Sequence, residues 1–262
     1  MILNKLNLPA ESLRLQIKEL AEEVRYKYSK KGLSDIFDIL SEVAFLIRMP
    51  LKTTEVSGFS TYFEQRFVVF LNSSFTLGHE RFSGAHELYH FIYNPDILKK
   101  EKLLLNNIQS TEDDKANIFA AEFLMPADYV KEVFYKIVNV EPDNVLPRHV
   151  VRMNNNFKVS YKAMLKRLVQ LKLCSVDKYE ELCEICSLAN ADKLQALTQK
   201  EGYDISLITP AKEVYIPQEY IEFVKSNYEH KKISFNNMKN CLEFLGLTAE
   251  QFGYIGGVQM RN

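Results

Sequence analysis

Strand-forming sequence is concentrated in one block, Leu51 to Asn72 (LKTTEVSGFSTYFEQRFVVFLN), rich in Thr, Val, Tyr and Phe, with Gly58 and Glu64-Gln65 placed for turns. On either side the apolar residues recur every three or four positions. Leu13, Ile17, Leu20, Ala21, Val24 and Tyr28 form such a stripe, ended by Lys30-Lys31-Gly32. The whole reads as helices around one small sheet, followed by a helical tail. The fold class expected is α+β: mainly helical, with a small antiparallel sheet of two or three strands.

Further helices are predicted from their stops and starts. A second one is capped by Ser34 and ends before Pro50; another covers Ser83 to Tyr93; a third runs from Thr111 through Leu124 and stops at Met125-Pro126. Pro126 then suits the first turn of a helix over 127–138. Beyond a linker at Glu141 to Pro147 come two short helices, 147–155 and 160–172, and a longer one over 177–200. An extended stretch, DISLITPAKEVYIP, precedes helices opened by Pro217 and Ser234.

Composition narrows the function classes. At 47% hydrophobic over 262 residues the chain can bury a sizeable core, which excludes disorder as its main state. Its 33 Lys+Arg against 34 Asp+Glu exclude a globally basic polymer binder, so any cationic surface is local. No stretch approaches a membrane span, and the opening MILNKLNLPAESLRLQ is soon charged, unlike a secretory signal; a soluble, cytoplasmic protein is expected. Cys174, Cys183, Cys186 and Cys241 are too few for a disulfide scaffold and are expected as free thiols. The C-x-x-C pair lacks a second pair or a nearby histidine to complete a zinc site.

The chemistry is concentrated in His86-Glu87-Leu88-Tyr89-His90. On a helix, residues four apart share a face, so both imidazoles can meet one ion while Glu87, offset around the helix, reaches water on it. This is the H-E-x-x-H arrangement of zinc peptidases, with Zn2+ the expected cofactor and Glu87 the general base. A catalytic zinc needs a third protein ligand. Glu112, Asp113 and Asp114 open the next helix, and Ala116, Ala120 and Ala121 would let that helix pack close. Acids also favour any helix N-terminus, so their presence alone does not choose among them. His79, Arg81, Tyr89 and Tyr93 are near enough in sequence to supply an oxyanion donor, without spacing that selects one. His149 and His230 have no ligand spacing.

RFSGAHELYHFIY (residues 81–93) and DKANIFAAEFLMP (114–126), and more loosely FKVSYKAMLKRLVQLKL (157–173), resemble the ImmA/IrrE metallopeptidases of bacterial mobile elements and stress regulators. The resemblance implies a zincin-like domain and an anti-repressor: a zinc endopeptidase cleaving a helix-turn-helix transcriptional repressor to release transcription. Family members carry E-x-x-A-N or E-x-x-A-D in the second segment, with the Glu as third ligand. Here that position is Asp113, one methylene shorter, with Glu112 as the backup ligand. Asn117, four residues on and on the face of Asp113, is implied to hydrogen-bond a ligand histidine. In peptidases of this type an extended substrate can add to a sheet edge, and RFVVFLN (66–72) is either that edge or an ordinary buried strand.

Residues 147–173 contain seven Lys/Arg and no acid. With a turn between two short helices, this segment resembles a helix-turn-helix, in which Lys158, Lys162, Lys166 and Arg167 would contact nucleic acid. Lysines solvating a packed helical pair explain it as well and are preferred, because an electrostatic footprint is not base readout. The alternative function is accordingly a DNA- or protein-binding transcriptional regulator with a non-catalytic metal site. The organisation expected is a metallopeptidase domain over 1–140, a helix-turn-helix-like segment over 141–175, and a C-terminal helical domain over 176–262 for substrate recognition or regulation.

Overall fold

The computed structural model describes residues 10–63, 65–101, 103–105, 111–255 and 258–259. The chain divides into two compact units, Met1–Glu213 and Val214–Asn262. In the first, helices α1 (Glu11–Ser29) and α2 (Ile36–Val43) precede strands β1 (Phe45–Met49), β2 (Gly58–Phe63) and β3 (Arg66–Asn72). Then come α3 (Leu77–Tyr93), α4 (Pro95–Glu101), β4 (Leu103–Leu105), α5 (Thr111–Leu124), α6 (Ala127–Ile137), α7 (Pro147–Phe157), α8 (Tyr161–Gln170), α9 (Val176–Cys183) and α10 (Ala191–Lys200). The fold is α+β and mainly helical, as the periodicity predicts.

The sheet is mixed rather than purely antiparallel. Its order is β1-β3-β2-β4, with β1 parallel to β3 (Phe45 opposite Val68), and β2 antiparallel to both β3 and β4. Strand β1 lies where the sequence predicts the end of a helix. That helix stops at Val43, Ala44 is extended, and Asp35 rather than Ser34 caps its start by accepting from Phe37 N. The run FLIRM is too short to show a helical period, and pairing with β3 in parallel, with Leu46, Arg48 and Met49 buried, makes it a strand. RFVVFLN is therefore not an edge: β3 is paired on both sides, and the edges are β1 and β4.

Two apolar cores are built side by side in this unit. One joins α1, α2, α3 and α5 to the sheet through Leu40, Leu46, Val69, Leu71, Leu88 and Phe119, all buried. The other gathers α6 to α10 around Val150, Val151, Met164, Leu165 and Leu168 and includes Leu182 and Leu194, so residues 141–175 lie inside this unit. Phe82 and Leu124 pack against both cores. The stretch read as one helix over 177–200 is α9 and α10 separated by short 3-10 turns.

A buried charge cluster ties the two cores together. Glu122 on α5 accepts from Arg167 Nη2 on α8 at 2.5 Å and from Arg14 Nη1 on α1 at 2.7 Å, while Arg167 Nε donates to Met125 O at 3.0 Å. The basic segment is thus partly interior. Arg167 is only 1% exposed, which removes it as a nucleic-acid contact: its guanidinium is committed to Glu122 and a helix-terminal carbonyl. Arg152 is likewise paired, with Glu201 at 2.6 Å.

The second unit holds α11 (Gln218–Glu229), α12 (Phe235–Glu243) and a two-stranded ladder, β5 (Tyr254–Ile255) with β6 (Val258–Gln259). Pro217 and Ser234 open its helices as the sequence predicts. Val224, Met238, Leu242, Ala249 and Tyr254 form its small core. The four cysteines are free thiols, and among the described residues no helix is long and apolar enough to cross a membrane.

Candidate metal and catalytic site

Helix α3 carries the HELYH motif through the centre of the first core. Thr76 caps it by accepting from His79 N, and its middle is buried on all sides, with Ala85, Leu88 and Glu87 at 0% exposure. Helix α5 packs against it through Ala116 and Ala120, both fully buried; without bulk at those positions the two backbones approach closely.

That approach brings Asp113 to the histidines. His86 Nε2 and His90 Nε2 are 3.1 Å apart, and Asp113 Oδ1 lies 3.2 Å from His90 Nε2 and 3.7 Å from His86 Nε2. Ligand atoms held about 2.0–2.1 Å from a tetrahedral zinc lie roughly 3.3 Å from one another, so the three donors have the spacing of one face of a zinc tetrahedron. Among the described residues these three are also the group of acids, histidines and cysteines that could share an ion.

The surrounding contacts prepare His86 for this role. Its Nδ1 meets Asn117 Oδ1 at 3.1 Å; with Asn117 accepting, the proton stays on Nδ1 and the lone pair of Nε2 faces His90 and Asp113. Burial opposes a charge on His86, but the Asp113 carboxylate, the field of Glu87 and the Asn117 bond together raise its pKa above the ordinary imidazole value. Burial and the neighbouring His86 push His90 down.

Glu112 is turned elsewhere. Its carboxylate accepts from Lys115 Nζ at 2.7 Å, Asn94 Nδ2 at 3.0 Å and the Tyr89 hydroxyl at 3.2 Å, and these donors hold it below the usual carboxylate range, Lys115 first. The helical offset between adjacent residues accounts for the division: Asp113 faces α3 at the histidines, Glu112 at Tyr89. The oxyanion candidates are also engaged: Tyr89 on Glu112, Tyr93 on Leu20 O, Arg81 on Asp35 and His79 on Ser57. His149 accepts from Leu146 N, and His230 sits exposed at the end of α11.

Glu87 lies on the sheet side of α3, where Ser60 Oγ on β2 donates to its Oε2 at 2.6 Å. Ser60 is 1% exposed, and the sequence reading did not single it out. Its signal is weak but present: a small polar residue two positions from Gly58, on the same register, in a strand that also carries Phe59, Tyr62 and Phe63. Next to it a Cβ on Gly58 would meet Phe70 O at 2.9 Å and come within 3.7 Å of Glu87 Oε1, so the strand approaches the glutamate only because Gly58 has none.

The IrrE N-terminal-like domain of the M78 peptidases matches residues 41–169. Residues 41–169 belong to the M78 peptidase family. The M78 match spans β1 to the end of α8 and so takes in both histidines, Glu87, Asp113, Asn117 and Ser60. No curated protein matches the chain. Within the M78 domain Lys158 caps α7 in a left-handed conformation, Lys162 is exposed, and Lys166 is half-buried.

Proposed function

We propose that the chain is a zinc-dependent endopeptidase whose target is a helix-turn-helix repressor. The observation that carries the hydrolytic part is the juxtaposition of His86, His90 and Asp113 within ligand spacing, with Glu87 one residue from His86 on a separately anchored face. The repressor as target rests on the resemblance to the ImmA/IrrE proteins. The buried, paired state of Arg167 weighs against the alternative in which this helix reads DNA.

When bound, zinc supplies Lewis acidity: it acidifies water and polarises the scissile carbonyl. His86, His90 and Asp113 hold it, and Asn117 fixes the tautomer of His86. Glu87 accepts the proton of the attacking water and returns it to the leaving amine. Ser60 keeps one carboxylate oxygen of Glu87 in place, so it acts as a positioning residue.

The test is incubation of the zinc-loaded protein with helix-turn-helix repressors from the same genome, followed by intact-mass spectrometry. One or two discrete fragments of one of them are expected; repressors that all stay full-length under conditions where zinc is bound overturn the assignment. The ligand choice is tested separately. Asp113→Ala should abolish stoichiometric zinc binding, whereas Glu112→Ala should leave it in place, as read by elemental analysis; the opposite pattern would transfer the role to Glu112. Ser60→Ala, losing a hydrogen bond to a charged group worth about 1.5–3 kcal/mol, should lower kcat roughly 10–100-fold with KM and zinc content unchanged, and Ser60→Thr should restore it. A change in KM alone would mean that Ser60 serves packing or substrate contact.

A further inference from the structure

A cavity of about 590 Å³ opens beside the metal triad, in the size range of ligand pockets. Asn117, whose carboxamide meets His86, lines its near end. Its floor is apolar, made by Phe82, Ile118, Ala121 and Met125, and Lys162 and Lys166 stand at its α8 wall. Phe82 lies one helical turn before His86 on α3, about 6 Å along the axis, which is the span of roughly two residues of an extended peptide.

The wall is electrically unsatisfied. Arg167 also borders the cavity, but Glu122 neutralises it; Lys162 and Lys166 have no carboxylate within ion-pair distance among the described residues. Asp114 also lines the cavity. Burial, and then the charge of Lys162, hold the Lys166 ammonium below the usual lysine range, and the same two causes lower His79. The wall is also fixed in place: a Cβ on Gly78 would fall 2.4 Å from Ser160 N, so the first turn of α3 abuts the start of α8.

We infer that this cavity is a substrate subsite that takes an acidic side chain, Asp or Glu, about two residues from the scissile bond. One half-buried and one exposed cation over an apolar floor disfavour a basic or empty occupant, since the Lys166 ammonium is partly desolvated without a partner, and favour a carboxylate on a short apolar stem. The inference rests on the peptidase reading for the occupant being a peptide.

The probe is a set of fluorescein-labelled octapeptides, apolar except for one position that is scanned along the peptide and carries Glu, Gln or Lys. They are titrated by anisotropy against the zinc-loaded Glu87→Gln protein, so that nothing is cleaved. At one position Glu should bind about tenfold tighter than Gln, the effect expected of one partly desolvated ion pair. Lys162→Gln/Lys166→Gln should erase that advantage, while Lys158→Gln, outside the cavity, should keep it. Lys162→Gln alone, at an exposed position, should already weaken it. Absence of any Glu preference, or a preference that survives the double substitution, overturns the inference. So does a short DNA duplex that binds through the same two lysines while the peptides show no preference. Failure of the peptidase reading looks different: the Glu preference persists, but the wild type cuts neither these peptides nor the repressor.

Discussion

Glu87→Gln is expected to lower kcat/KM for the repressor by a factor on the order of a hundred to ten thousand, the usual contribution of a positioned general base, while leaving fold and zinc content unchanged. Gln is isosteric and its carbonyl oxygen can still accept from Ser60, so the fully buried pocket around position 87 keeps its packing and the Ser60 contact. What is lost is the capacity to take a proton. Fragment yield by mass spectrometry, zinc by elemental analysis and the melting temperature are read on the same sample. A variant that cuts at the wild-type rate would remove Glu87 from the chemistry; one that loses zinc together with activity would make it a structural element of the site.

The second large effect lies away from the motif. Glu122→Ala should destabilise the first unit by about 3–5 kcal/mol, because it leaves the buried Arg167, and Arg14 beside it, without the charge they surround. For a unit of this size that is a fall in Tm of roughly 6–20 °C, measurable by calorimetry. The same change loosens the contact between α5 and α8. Glu122→Ala/Arg167→Met should recover much of the loss, since removing a buried pair together costs far less than removing one member. An unchanged Tm in the single variant would mean that water reaches the arginines and the cluster is not sealed.

What could be read from the chain follows the range of the interaction. His86 and His90 are legible because helical periodicity alone puts them on one face, and Asp113 with Asn117 because the same period repeats one helix later. Ala116 and Ala120 foretell the close approach that lets an aspartate reach where a glutamate is usual. The strand β1 was not legible: Phe45 to Met49 is apolar except for Arg48 and too short to show a period, equally suited to a buried helix end and a buried strand, and only its pairing with β3 decides. The same pairing on both sides makes RFVVFLN central and removes it as a site for an added substrate strand. Ser60 and the Glu122–Arg167 pair depend on contacts between residues far apart in sequence. Glu122 does leave a trace, as a lone acid within the apolar NIFAAEFLMP, where a charge implies a buried partner. Lys162 and Lys166 show in the sequence as charge, but their position on a cavity wall shows only once α8 is packed.

Metal content tests the central claim most directly. Purified protein, reconstituted with zinc and freed of excess, is compared with His86→Ala by elemental analysis, with the melting temperatures of both recorded. The account predicts about one zinc per chain in the wild type and essentially none in the variant, with the bound metal raising the wild-type Tm alone, as a ligand of the folded state must. No zinc in the reconstituted wild type, or one zinc per chain in both proteins, would contradict it.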